Sequence, residues 1–385
     1  MSAFLAAVGI AILAYFLASA FELITGNRSL PRLDQIVPDP SVPHPRVSVI
    51  VAARQEADTI EPALASVLAQ DYPNYEVIAI NDRSEDATGA ILDRMAAAIP
   101  SRLSVVHVKE LPPGWLGKNH ALYLGTERAS GTIYLFTDAD VVMAPDTLSR
   151  AVARMQQAKA DHVVVIPRIV TPHMGVEAFV SLFVIGFGLW YHIWKAPNPR
   201  SKFFVGIGAF NMVHAEVYRR AGTHRAIALR PDDDMKLGKL IKLAGFRQDL
   251  VNGIRGVSVA WYPSLRALVA GLMKNAFAGL DYRLWKLAAA VCFIGLVRVW
   301  PWAALAVTHG PVRAIYLAIV GLILAMAWDN ARFNRFHPWI GLLEPFAACL
   351  LIFIVLRSAA VTLRQGGIRW RGTLYPLDEL RSNNV

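Results

Sequence analysis

The chain is 385 residues long, 55% hydrophobic and 18% charged, with a net charge of +10 and a mean hydropathy of +0.39. That is too apolar for an ordinary soluble protein and too charged for a bare bundle of membrane spans, so part of the chain belongs in a bilayer and part folds as a globular domain. The cysteines Cys292 and Cys349 lie in apolar runs without Cys or His neighbours, which argues against a disulfide framework or a zinc site, and the basic residues flank apolar segments, where anionic lipid rather than nucleic acid attracts them.

Ser2 to Thr25 is almost uncharged, long enough to span a bilayer, and followed by Arg28, Arg32 and Arg46. It reads as an N-terminal transmembrane anchor over residues 1–27 that leaves the next stretch in the cytoplasm. No basic region precedes it and no small-residue cleavage site follows, which argues against a cleaved signal peptide. Residues 28–45 form a linker, punctuated by prolines from Pro38 to Pro45, and a globular domain follows over 46–285.

Val47 to Ala53 reads as a buried first strand. Asp58 and Glu61 form a capping-box-like start to a helix whose apolar face carries Ile60, Leu64, Val67 and Leu68, and Tyr72-Pro73 stops it. Strands follow over Glu76 to Asn81, ending at Asp82, then over Leu103 to Lys109 and Thr132 to Thr137, with helices over Ala87–Ala97 and Asn119–Ala129 between them. Such alternation implies a parallel sheet with right-handed crossovers.

The strand Thr132 to Thr137 ends in Asp138-Ala139-Asp140. Alone, this pair is as consistent with Asp138 capping the following turn and Asp140 lying on a solvated loop as with a functional site. A parallel sheet, however, brings Arg54, Glu56, Asp82 and the Asp138/Asp140 pair to one edge, where open α/β sheets bind ligands. Two carboxylates one residue apart can share Mg²⁺ or Mn²⁺ and leave coordination positions for a diphosphate. Pro112 to Lys118 forms a rigid turn with a cation at a helix start, suited to phosphate.

Asp161 to Ile169 reads as a further strand, and Met174 to Trp194 as a helix, interfacial (173–196) or buried, with His192 as a packing residue. Gly206 to Val213 resembles a strand whose glycines permit close backbone approach. Asp232, Asp233 and Asp234 open a helix running to Ala244; acids suit a helix N-terminus, and three together raise one another's proton affinity, as a general base requires. Strand-like Val257 to Ala260 precedes Trp261-Tyr262-Pro263, and a helix from about Ser264 carries Lys274.

Residues 286–363 hold three apolar segments, Leu287–Val307, Val312–Trp328 and Trp339–Leu356. Arg332 and Arg335 in the loop Asp329–His337, and the basic tail 364–385, both score as cytoplasmic, which three full crossings cannot satisfy; either the Glu344-Pro345 segment is re-entrant or interfacial, the favoured reading, or the tail is external despite its arginines. Arg298 within an apolar segment is expected to face protein or water.

The ordered series Val49 to Glu56, Asn81-Asp82-Arg83-Ser84, Gly117-Lys118-Asn119, Thr137 to Asp140 and Asp233-Asp234 resembles the family 2 inverting glycosyltransferases over about residues 46–280. The anchor, the Trp115-x-Gly117-Lys118 turn and the apolar C-terminal part make it similar to the membrane branch that includes ceramide, carotenoid and hopanoid-associated glycosyltransferases. The resemblance implies a GT-A, Rossmann-like α/β fold with a mixed, mainly parallel sheet, and a sugar moved from a nucleotide-sugar, UDP-hexose foremost, to a membrane lipid. It implies a multi-pass protein of the cell (inner) membrane with a cytoplasmic catalytic domain, using Mg²⁺ or Mn²⁺ and no nucleic acid. By resemblance, Ala53, Arg54, Glu56, Asp82, Lys118 and Asp138 bind the nucleotide-sugar, Asp140 with Asp138 holds the metal, and Asp234 or its neighbour Asp233 is the base. Trp261, Tyr262 and Lys274 are acceptor-side candidates. The Gln-x-x-Arg-Trp motif of processive synthases is not found, Gly271 to Asn275 standing in its region. The alternatives are a polysaccharide synthase-like enzyme and a non-catalytic nucleotide-binding membrane scaffold.

Overall fold

The computed structural model describes residues 2–273, 275–370 and 373–382. The chain divides into two compact units: Leu30–Val170 with Ile193–Ala260 form an α/β unit, and Met1–Ser29, Thr171–His192 and Trp261–Arg381 a helical one.

The α/β unit has ten strands: β1 (Val47–Ala53), β2 (Tyr75–Asp82), β3 (Leu103–Val108), β4 (Ile133–Asp138), β5 (Val141–Met143), β6 (His162–Ile166), β7 (Arg168–Val170), β8 (Asn211–His214), β9 (Gln248–Asn252) and β10 (Val257–Ala260). Seven form a sheet in the order β3-β2-β1-β4-β8-β6-β9, mixed and mainly parallel as expected, with β8 antiparallel to both its neighbours. Runs such as Val49-Ile50-Val51 and Ile133 to Phe136 are buried on both faces, since helices cover a doubly wound sheet from either side. A second sheet, β5-β10-β7, stands beside it.

Three local expectations are corrected. The run Asp161–Ile169 is two strands, because Pro167 has no N–H to give to a ladder and the chain passes there from one sheet to the other. The Asp58/Glu61 capping box does not form: the helix Ile60–Leu68 has Thr59 at its N-cap without a side-chain bond, and Glu61 pairs instead with Arg94 at 2.8 Å. Gly206–Val213 is irregular as far as Phe210, and only Asn211–His214 joins the sheet.

Among the described residues five helices are long and apolar enough to cross a membrane: Ala3–Ser29, Met174–Lys195, Leu284–Val307, Gly310–Asn334 and Ile340–Gln365. The stretch Asp329–His337, read as a loop, is helical through Asn334, because Asn330 and Asn334 are buried with hydrogen-bond partners: Asn330 Nδ2 donates to Ser181 Oγ (3.0 Å) and Asn334 Nδ2 to Asn330 Oδ1 (2.8 Å). Arg298, in the π-helical turn Gly295–Val299, faces protein: its guanidinium lies 3.2 Å from Glu344 Oε1 and over the Phe16 ring, and Trp302 Nε1 donates to Glu344 Oε2. An intramembrane charge is tolerable when paired in this way. His192 Nδ1 lies 3.1 Å from Glu22 Oε1.

Candidate active site

The parallel register places three strand ends together, Ala53 opposite Asn81 and Ala52 opposite Asp138. Ala53 is buried and contributes backbone at that edge. Asp82 is buried beneath two arginines: Arg83 Nε and Nη2 donate to its two carboxylate oxygens at 2.7 and 3.0 Å, and Arg54 Nη1 lies 3.8 Å away. Arg83 and Gln55 both hold a left-handed backbone (φ 56°) at this edge. Glu56 is oriented by the Thr59 hydroxyl, which donates to its carboxylate (3.0 Å), and its N–H donates to Thr88 Oγ1 (2.8 Å).

Lys118, in the first turn of the helix Gly117–Arg128, lies 2.7 Å from Asp138 Oδ1 and 3.6 Å from Asp233 Oδ2. Burial works against the ammonium, but Asp138, Asp233 and Asp234 outweigh it and hold its proton affinity above the ordinary lysine value. Gly117 is required there, since a Cβ would fall 2.2 Å from Asp82 Oδ2.

The three acids read as one helix start divide their work. Asp232 accepts from buried Arg230 at 2.8 and 2.9 Å, while Asp233 and Asp234 begin the helix Asp233–Leu243 and face Lys118. Asp234 Oδ2 accepts from the Gly208 N–H (2.8 Å) and Oδ1 from its neighbour Met235 N–H (2.7 Å). Burial and then Asp233 push the Asp234 carboxyl up to about 7, and burial, reinforced by Asp138 and Glu56, does the same to Asp140. Lys118, Asp138, Asp233 and Asp234 line one cavity with Phe136 and His224.

The residues fit a divalent ion. Glu56, Asp138, Asp140, Asp233 and Asp234 carry more negative charge than Lys118 offsets. No group of three or more His, Cys, Asp or Glu side chains among the described residues could enclose a metal on its own. Asp138 and Asp140 supply hard carboxylate oxygens, too few by themselves to enclose an ion, which suits one whose other positions a diphosphate fills.

Trp261 and Tyr262 belong to the helical unit, the Trp261 ring packing on Phe183 (5.3 Å between centroids) and on Tyr262 (5.6 Å). Lys274 lies outside the described residues. Two neighbours of the site had no role assigned from the sequence. Asn119 Nδ2 donates to the carbonyls of Ile227 (2.7 Å), Ala228 (3.2 Å) and Arg230 (2.9 Å), tying the Lys118 helix to the segment that delivers the acids. His120, buried enough to lower its proton affinity, feels Asp82 and Arg83 and packs edge-on to Trp115. An exposed-looking GKNH turn hides both roles, whose partners are distant in sequence. Asn119→Ala removes the three bonds and should cost about 1–3 kcal/mol, read as a lower thermal midpoint in detergent, with Asn119→Asp recovering little because it cannot donate to carbonyls.

Residues 48–222 match the sequence profile of Glycosyl transferase family 2. An uncharacterized glycosyltransferase of Haemophilus influenzae is 28% identical over 186 residues, 46% of this chain and 53% of that protein. A beta-monoglucosyldiacylglycerol synthase of Synechocystis is 35% identical over 114 residues, 29% of this chain and 23% of its own length. The chain thus spans only about half, or less, of these curated relatives. Among solved structures, a mannosyltransferase from Pyrobaculum calidifontis in complex with GDP-Man and Mn²⁺ superposes with a TM-score of 0.55 at 21% identity, covering 93% of this chain and 98% of that one, a likeness of fold. With the acid-lined edge of a mixed sheet in the same stretch, residues 48–222 are a glycosyltransferase family 2 domain on a GT-A-like fold.

Proposed function

We propose that the chain is an inverting glycosyltransferase that moves a sugar from a nucleotide-sugar, UDP-hexose foremost, to a lipid in the membrane that its own helices enter. The observation that carries this reading is the meeting of Asp82, Asp138 and Lys118, inside the family 2 match, with Asp233-Asp234 just beyond it, at the C-terminal edge of β1, β2 and β4.

In this reading Arg54, Glu56 and Asp82 receive the nucleoside, and Asp138 and Asp140 would hold Mg²⁺ or Mn²⁺ against the diphosphate. The ion, when bound, supplies charge neutralisation of the departing nucleoside diphosphate. Asp234 takes the proton of the acceptor hydroxyl as that oxygen attacks the anomeric carbon, forming the new C–O bond while the bond to the diphosphate breaks on the opposite face. The stereochemistry inverts, and the proton rests on Asp234 until solvent removes it. Gly208 and Met235 fix the carboxylate for this role through their N–H groups. Burial beside Asp233 gives it a proton affinity close to neutrality, where a base works best.

Five helices long and apolar enough to cross a membrane, among the described residues, favour an acceptor dissolved in the bilayer; the basic residues after the first of them, Arg28, Arg32 and Arg46, support a catalytic domain on the cytoplasmic side of the inner membrane. Lipid extracts of cells with the active chain and with its Asp234→Asn variant, compared by mass, should differ by one hexose on a lipid species. A soluble or polymeric product instead would overturn the acceptor reading and favour a polysaccharide synthase. Tight nucleotide binding without turnover over a broad acceptor panel would favour a scaffold.

A further inference from the structure

The site's acids are fastened to one residue whose N–H already holds the proposed base and whose missing side chain is so far unexplained. The Gly208 carbonyl accepts from the Asp138 N–H (3.1 Å), and the Gly208 N–H donates to Asp234 Oδ2 (2.8 Å). One glycine residue therefore holds the end of β4 by its carbonyl oxygen and the proposed base by its N–H. A Cβ built on Gly208 would stand 2.6 Å from Asp138 Oδ2 and 3.3 Å from Lys118 Nζ. The 2.7 Å Lys118–Asp138 pair thus occupies the space that any side chain would claim.

Gly208 does not have the left-handed backbone that favours glycine, so conformational freedom does not account for it. Nor does main-chain packing. At Gly206 a Cβ would lie 1.8 Å from the Asp234 carbonyl oxygen, and at Gly238 2.0 Å from that of Val205, so those two glycines let backbones approach. At Gly208 the nearest obstacles are the tips of two charged side chains.

Resting on the glycosyltransferase reading only for its kinetic consequence, we propose that Gly208 is a positioning residue: its missing side chain makes the room in which Lys118 and Asp138 pair, and its peptide sets the base against that pair. The two peptide groups of this one residue hold both acids, so the metal-side carboxylate and the base keep one fixed relation. An alanine leaves both backbone hydrogen bonds possible and displaces the Asp138 carboxylate from Lys118.

The test uses the full chain in detergent. The first measurement, without metal or nucleotide, is the acetylation of Lys118 by acetic anhydride, quantified by mass spectrometry. Gly208→Ala should raise it several-fold over the wild type, to the level of Asp138→Ala, and the double variant should show no further rise. The second is Mn²⁺ affinity with UDP or GDP present, from the resonance of free Mn²⁺. Gly208→Ala should weaken it about 10- to 100-fold, as loss of a ligand-orienting neighbour does. In the Asp138→Ala background the same change should have no effect. Wild-type labelling in Gly208→Ala, or independent additive effects in the double variant, overturns the proposal.

Should Gly208→Ala alone fail to fold, the double variant must fold and label as Asp138→Ala does, because the obstructing carboxylate is gone; a double variant that also fails overturns the proposal. A wild-type chain that transfers no sugar and binds no Mn²⁺ would remove the functional reading while leaving the labelling comparison to decide this one.

Discussion

Replacing Asp234 with asparagine should lower kcat by about 100- to 10,000-fold, the range that a positioned general base supplies, with the affinity for nucleotide and Mn²⁺ nearly unchanged. Both oxygens of this carboxylate accept backbone N–H groups, from Gly208 and Met235. An asparagine keeps one acceptor and turns an NH₂ toward the other donor, so a modest loss of stability accompanies the chemical one. The pH dependence separates Asp234 from its neighbour. The base must be ionised, and burial and then Asp233 raise Asp234 to about 7, so turnover should fall as the pH drops through that value. Asp233→Asn removes a like charge, lowers the proton affinity of Asp234 and should move this acidic limb to lower pH while substantial turnover remains. Loss of turnover in Asp233→Asn with survival in Asp234→Asn would exchange the two assignments.

The acid-bearing edge was legible because its signals are local. A buried strand such as Ile133–Asp138 must be apolar and β-branched until it leaves the sheet, so its first carboxylate marks the edge. Parallel register then aligns such ends without further information. What stayed hidden depends on partners far along the chain. Asp232 resembles the two acids after it but is taken by Arg230, whose burial a charged residue in a loop does not announce. Gly208 meets Asp138 and Asp234 only because β8 runs antiparallel beside β4, a strand order that local pattern does not give. The break at Pro167 was readable from proline chemistry alone, yet the apolar run on either side obscured it. On the acceptor side, Trp261 and Tyr262 are aromatic at a strand exit, which fits packing against Phe183 as well as contact with a lipid.

Asp140→Ala should abolish metal-dependent transfer, by about 1,000-fold or more, since polarising a phosphoryl oxygen supplies several kcal/mol and each 1.36 kcal/mol is tenfold in rate. The stability of the same variant should move the other way. In the metal-free protein the Asp140 carboxyl is raised to about 7 by burial, by Asp138 and by Glu56. A carboxyl whose folded proton affinity exceeds its unfolded one favours the fold fully below the unfolded value of about 3.9, and that contribution is lost as the pH rises through about 7. At pH 8 without divalent ions Asp140 is therefore a liability, and Asp140→Ala should have a thermal midpoint equal to or above the wild type. Adding Mn²⁺ with nucleotide should raise the midpoint of the wild type by ligand linkage and leave the variant nearly unmoved, so the order of the two reverses. Such a crossing belongs to a residue retained for a ligand at the expense of the empty fold. A variant less stable than the wild type in the chelated state would make Asp140 a structural acid and shift the metal role toward Asp138.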